Sequence, residues 1–203
     1  MNLTPPEVRV LGSLIEKEST TPEYYPLTLN ALVNACNQKS NRDPVVSYDE
    51  DSVIDAVAGL REKKLAVEIT GAGMRVAKYA QRLSETLNLG RRELALLCTL
   101  LLRGRQTVAE LRDRAERMHR FGDIEEAETC LSHLVEMGLA VRLPRQPGEK
   151  EARYMHLLGG PVEIAPEAAS PPQAPPVASR LDRLEAEVEE LKRQFAEFRR
   201  QFE

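Results

Sequence analysis

Two decapeptides, LREKKLAVEI at Leu60–Ile69 and LVEMGLAVRL at Leu134–Leu143, stand 74 positions apart and share Leu, Glu, Leu, Ala and Val in the same five places. Self-similarity at a fixed spacing is the mark of one supersecondary unit written twice, so any fold proposed for the first copy must also suit the second. The 203 residues leave room for this, because a unit of about 60 residues can fold alone.

Aligning the decapeptides brings their surroundings into register. Upstream of the first, Thr4 with Glu7 forms a capping-box pattern, Pro5 takes the first helical position, and Val8, Leu11, Leu14 and Ile15 follow at helical spacing. A second helix is expected over Leu27–Cys36. A third is expected from Ser47, with Glu50 completing another capping box and Val53, Ile54, Val57 and Leu60 on one face. LAVEI and MRVAKY, joined by the Gly71-Ala72-Gly73 turn, then read as a hairpin.

The second copy keeps this order. ELALLCTLLLRG is the first helix, Thr107 with Glu110 caps the second, and Asp123 with Glu126 caps the third. Gly138 supplies the left-handed residue that ends a helix, and LAVRL and ARYMHLL frame a hairpin. Three helices closed by a hairpin describe a winged helix. The repeated decapeptide is thus the end of a third helix turning into a wing strand, with Leu65, Val67, Leu139 and Val141 alternating into the core.

After Leu158 the composition turns to proline and alanine, GGPVEIAPEAASPPQAPPVAS, which reads as a semi-rigid extended linker. Beyond it Leu181, Leu184, Val188, Leu191, Phe195, Phe198 and Phe202 form a heptad seam. Glu187 facing Lys192 would suit a parallel pair and Glu185 facing Arg199 an antiparallel one, so both strand directions stay open; a helix docked on its own domains is the other reading. The expected organisation is α+β and mainly α: winged-helix domains over 1–85 and 86–160, a linker over 161–179, and a coiled-coil helix over 180–203 that makes the chain a homo-oligomer.

Several function classes are disfavoured. No apolar run approaches the roughly 18 residues of a membrane span, and MNLTPPEVRV lacks the pattern of a signal peptide, so no membrane association and a cytoplasmic location are expected. Cys36, Cys98 and Cys130 each sit in a helical apolar pattern and read as buried reduced thiols. Cys130 and His133 have metal-like spacing, but two ligands fall short of the four that structural zinc takes. In the GAG run Val76 stands where a phosphate-binding loop needs its third glycine, and a strand follows instead of a helix. With no nucleophile–base pair either, an enzyme is not expected, nor any cofactor or metal.

Charge bears on nucleic acid. The chain carries −4 overall, but residues 1–85 hold 10 basic and 12 acidic side chains, 86–160 hold 12 and 11, and 161–203 hold 6 and 9. Only the second segment leans basic. Winged helices usually lay the third helix in the major groove, whereas here those helices begin DEDSVID and DIEEAE. Such carboxylates suit the helix dipole but repel phosphates. Arginines elsewhere could grip a backbone, and the long connection CNQKSNRDP offers Lys39 and Arg42 as outward cations, with Asn37, Gln38, Asn41 and Asp43 holding its shape. The expected ligand or nucleic-acid contacts are Lys39, Arg42, Arg112, Arg117, Arg142, Arg145 and Lys150. DNA and a second protein are both candidate partners.

LTPPEVRVLGSLIEKE (Leu3–Glu18) and YPLTLNALVNACNQKSNRDPV (Tyr25–Val45) together resemble the YceH-like bacterial proteins. The likeness extends over roughly residues 1–160 and implies two tandem winged-helix domains without implying any particular activity. The linker and heptad tail lie outside it. The leading expectation is therefore a non-enzymatic regulatory protein that binds DNA weakly through its second domain. An adaptor that binds other proteins is the runner-up.

Overall fold

A computed structural model describes residues 2–71, 75–146, 148–161 and 192–193. The chain divides into a unit spanning Met1–Ile164 and another spanning Ala165–Glu203. Both repeats belong to the first. The heptad residues Leu181, Leu184, Val188, Leu191, Phe195, Phe198 and Phe202 lie outside the described residues.

The architecture is α+β and mainly helical. The first repeat comprises α1 (Pro5–Thr20), β1 (Leu27–Thr28), α2 (Leu29–Cys36), α3 (Glu50–Glu62), β2 (Ala66–Ile69) and β3 (Lys78–Gln81). A short helix, α4 (Leu83–Leu87), leads into the second: α5 (Arg91–Arg103), α6 (Val108–Ala115), α7 (Ile124–Glu136), β4 (Ala140–Leu143) and β5 (Arg153–His156). Strand β3 lies between β1 and β2, all antiparallel, and β4 pairs antiparallel with β5. In the second repeat a Gln106–Tyr154 bridge occupies the place of the β1–β3 pair.

The repeat is carried into the backbone. Helices α3 and α7, like strands β2 and β4, keep the 74-residue offset of the decapeptides. Leu65 N–H donates to Leu60 C=O at 2.8 Å, and Leu139 N–H donates to Leu134 C=O at 2.9 Å. Each closes a left-handed helix end, at Lys64 (φ 60°) and at Gly138 (φ 70°). Glycine adopts that conformation freely, whereas lysine pays about 1–2 kcal/mol for it.

The core is continuous through both repeats. Helix α1 is buried on nearly every side from Glu7 to Glu16, because α2 and α3 cover one flank and α5 the other. Gly12 permits the close approach: a Cβ there would lie 2.9 Å from Leu102 Cδ2 and 3.2 Å from Leu101 Cβ. Fully buried side chains such as Leu11, Leu14, Leu96, Leu97 and Leu100 each contribute about 1.5–3 kcal/mol by leaving water.

Some expectations about elements require correction. Helix α2 starts at Leu29 because Thr28 pairs in β1 and then caps the helix, accepting from Ala31 N–H at 3.4 Å. Helix α3 starts at Glu50, with Asp49 rather than Ser47 as its cap. The cause is Asn37, whose amide accepts from Tyr48 N–H at 2.8 Å and donates to Tyr48 C=O at 2.7 Å, holding that stretch extended. Strand β3 is Lys78–Gln81, and Arg75, Val76 and Ala77, expected in it, precede it. Ile54 is exposed, and Ala56 takes its expected place in the core. Val67 and Val141 are half-buried, whereas the adjoining Ala66 and Ala140 are buried.

Candidate functional site

The connection between α2 and α3 was read as a ligand loop with Lys39 and Arg42 outward. Lys39 is exposed, but Arg42 is not. Its guanidinium is completely buried, donating to the Glu16 carboxylate through Nη2 at 2.7 Å and Nη1 at 3.3 Å and to Ala35 C=O at 2.8 Å. Helix α1 presents Glu16 inward, and a buried carboxylate without a partner is costly, so the cation within reach turns in to pair with it. The outward expectation for Arg42 is thereby overturned. Its side chain is a structural counter-ion.

Arg117, just past α6, reaches the same carboxylate, with Nη2 2.9 Å from Glu16 Oε1. Burial alone would raise the Glu16 pKa, but the hydrogen bond and charge of Arg42, aided by Lys17 and Arg117, hold it below the usual carboxylate range. The loop adds further ties to the second repeat. Asp43 N–H donates to Leu102 C=O at 2.9 Å, and Arg103 donates to the Asn41 side chain. Asn41 sits at φ 58°, a conformation asparagine tolerates better than most residues. The loop therefore joins the repeats, and Glu16 is the electrostatic centre of the joint.

The arginines of the second repeat are largely committed to carboxylates. Arg112 pairs with Asp113 at 2.8 Å, Arg105 with Glu149 at 2.6 Å, and Arg153 with Glu110 at 3.0 Å. Arg114 donates to Gln106 at 2.6 Å and Arg92 to Glu126 at 3.4 Å. On the hairpins the picture reverses. Arg142, Arg145 and Lys150 are exposed, and no carboxylate pairs with them among the described residues. The first hairpin carries Arg75 and Lys78, likewise without ion pairs there, since its one acid, Glu68, is held by Arg61 at 2.5 Å. A charge sum over residues 1–85 conceals these two cations. The local signal was the stretch 69–84, which has no acidic residue.

The third helices stay acidic on their outer faces. Glu50, Asp51, Asp55 and Glu62 are exposed on α3, and Glu125, Glu128 and Glu136 on α7. Asp123 and Glu126, by contrast, serve the helix start: Asp123 accepts from Glu126 N–H at 2.7 Å, and Glu126 accepts from Gly122 N–H at 2.8 Å.

Reactive groups are muted. Burial raises the pKa of Cys36 and Cys98 and pushes that of Cys130 up to about 12, so the thiols are poor nucleophiles. Among the described residues no group of three or more His, Cys, Asp or Glu could hold a metal ion, and no helix is long and apolar enough to cross a membrane.

These features define a mainly helical α+β chain in which a three-helix and hairpin unit occurs twice, with several hairpin cations that pair with no carboxylate among the described residues. The chain belongs to the DUF480 family, whose model, described as a protein of unknown function, matches residues 3–149. It is similar to a UPF0502 protein of Solibacter usitatus strain Ellin6076, 56% identical over 200 residues that cover 97% of this chain and 96% of that one. UPF0502 proteins of Opitutus terrae (53% over 189 residues, 92% and 81% covered) and Pelobacter propionicus (53% over 208 residues, 98% and 94% covered) are similar along nearly the same extent.

Proposed function

We propose that the chain is a non-enzymatic regulatory protein of two tandem winged-helix domains, 1–85 and 86–160, which touches DNA through the hairpin wing of its second domain rather than through its third helices. The repeated element order supports the winged-helix reading, as does the resemblance of Leu3–Glu18 and Tyr25–Val45 to YceH-like proteins. The observation that carries the docking mode is the division of charge: most helix arginines pair with carboxylates, third-helix faces are acidic, and Arg142, Arg145 and Lys150 on the second wing pair with no carboxylate among the described residues. Cations without internal partners are those that can exchange condensed counterions for phosphates. Arg112 and Arg117 contribute little, being held by Asp113 and Glu16.

The test is fluorescence anisotropy with a labelled duplex at low salt. Arg142→Glu with Arg145→Glu abolishes binding, whereas Glu125→Gln with Glu128→Gln tightens it by removing repulsion. A wing variant that binds as well as the wild type refutes the reading. A protein-binding adaptor is the second reading, favoured by Ile54, Ile124 and Met137, which are exposed on or beside the acidic third helices. Absence of binding to any duplex at low salt makes it the better one.

A further inference from the structure

Where the repeats meet, α1, the α2–α3 loop, α5 and β5 line an open pocket of about 270 Å³. Val8, Leu101 and Met155 contribute apolar wall, and Arg9, Asp43 and His156 bring polar groups to it. Among the described residues, His156 Nδ1 lacks a hydrogen-bond partner and Arg9 lacks a counter-ion. His156 is only 7% exposed, and its Nδ1 is buried without a hydrogen-bond partner. Arg9, 5% exposed, donates to Cys36 C=O at 3.1 Å and Pro44 C=O at 2.6 Å. Both partners are neutral, and among the described residues no carboxylate lies within ion-pair distance of this guanidinium. A guanidinium has five N–H groups, so donors remain after these two bonds.

A buried cation without a counter-ion and a buried imidazole without a partner are each costly to leave so. Burial, and next the charge of Arg42, lower the Arg9 pKa, while burial pushes His156 down to about 4, so the imidazole is neutral at pH 7. Asp43 also lines the cavity, but it is exposed and is the least of the charges acting on Arg9.

We propose that this cavity is a binding site for a small carboxylate with an apolar body, the carboxylate neutralising Arg9, the body packing on Val8, Leu101 and Met155, and His156 supplying or accepting a further hydrogen bond. Apolar walls with a few convergent polar groups are the usual make-up of a small-molecule site. A volume of about 270 Å³ accommodates a short-chain fatty acid. Such a ligand touches α1 and the loop of the first repeat together with α5 and β5 of the second, and β5 is one strand of the basic hairpin. Occupancy therefore stabilises the joint between repeats and reports to the wing.

Gly159 gives a way to close the site. It lines the cavity and is exposed, and a Cβ added there would meet His156 Cε1 at 3.5 Å, an ordinary contact distance. The full chain, labelled for methyl and imidazole NMR, is titrated with hexanoate, hexanol and hexylamine. Hexanoate is expected to shift His156, Val8 and Met155 resonances saturably in the range of about 1 mM, as suits so few ligand atoms, with hexanol and hexylamine at least about tenfold weaker. Gly159→Val removes the saturable shift and Gly159→Ala weakens it, both with an unchanged melting transition in the absence of ligand. The proposal is overturned if hexanol matches hexanoate, if hexylamine binds in its place, if Gly159→Val leaves the shifts intact, or if nothing saturates at millimolar concentrations.

Discussion

Replacing Glu16 by Ala exposes what holds the α2–α3 loop against α1 where the two repeats meet. The carboxylate is 2% exposed and faces Arg42, whose side chain is 0% exposed, and Arg117, which is 52% exposed. Removing it leaves Arg42 buried with only carbonyl partners, at Ala35 and Asn41. Breaking a buried pair on one side costs about 3–5 kcal/mol, which for a chain of this size lowers the melting temperature by roughly 10 °C. Arg117→Ala should cost only about 1 kcal/mol, because that side chain is half in solvent. Urea denaturation followed by circular dichroism measures both. Glu85→Ala serves as the exposed control, since its partner Arg82 is itself exposed.

A pH dependence follows from the same group. The folded-state pKa of Glu16 lies below its unfolded value, so its stabilisation is fully present above the unfolded pKa of about 4.3 and is lost as pH falls through the folded value. The stability difference between wild type and Glu16→Ala should therefore shrink in acid and hold constant near neutrality. A loss below about 1 kcal/mol at pH 7 would mean that Arg42 finds water once Glu16 is gone, and the reasoning about a buried joint would fail.

Two other outcomes are expected. Gly138→Ala should destabilise by about 1 kcal/mol purely through its backbone, since nothing lies within 4 Å of the added Cβ; Lys64→Gly should stabilise by a similar amount at the matching position of the first repeat, and thermal melts that reverse these signs would contradict the paired helix ends. Deleting residues 180–203 should convert an oligomer into a monomer in light scattering, and a monomeric intact chain at micromolar concentration would rule out the heptad seam as an association element.

What the sequence made legible was local. The Thr4–Glu7 and Thr107–Glu110 capping boxes form as read, because each involves groups three residues apart. The decapeptide repeat located helices α3 and α7 and the starts of strands β2 and β4 for the same reason. What it hid was long-range. Nothing in the run CNQKSNRDP says that Arg42 turns inward while Lys39 stays out, since the deciding partner, Glu16, is 26 residues away. Arg117 looked like one more surface arginine on a helix, yet its partner is 101 residues distant. Ser47 lost the α3 cap to Asp49 through a contact from Asn37, 11 residues back from Tyr48. The Arg9 and His156 cavity likewise draws on four separated segments, so no window of sequence displays it.

The salt dependence of duplex binding tests the wing-docking account most directly. Anisotropy titrations across a range of salt concentrations give the slope of log K against log salt, which reports the number of phosphates neutralised. Three wing cations, Arg142, Arg145 and Lys150, predict a slope of about −2.7 for the wild type, so that raising salt from 50 to 200 mM weakens binding by roughly 40-fold. The Arg142→Glu, Arg145→Glu, Lys150→Glu variant should show no measurable binding from which to draw a slope. A wild-type slope of about −6 or steeper, or a variant that retains the wild-type slope, would place the contact on other cations and contradict the account.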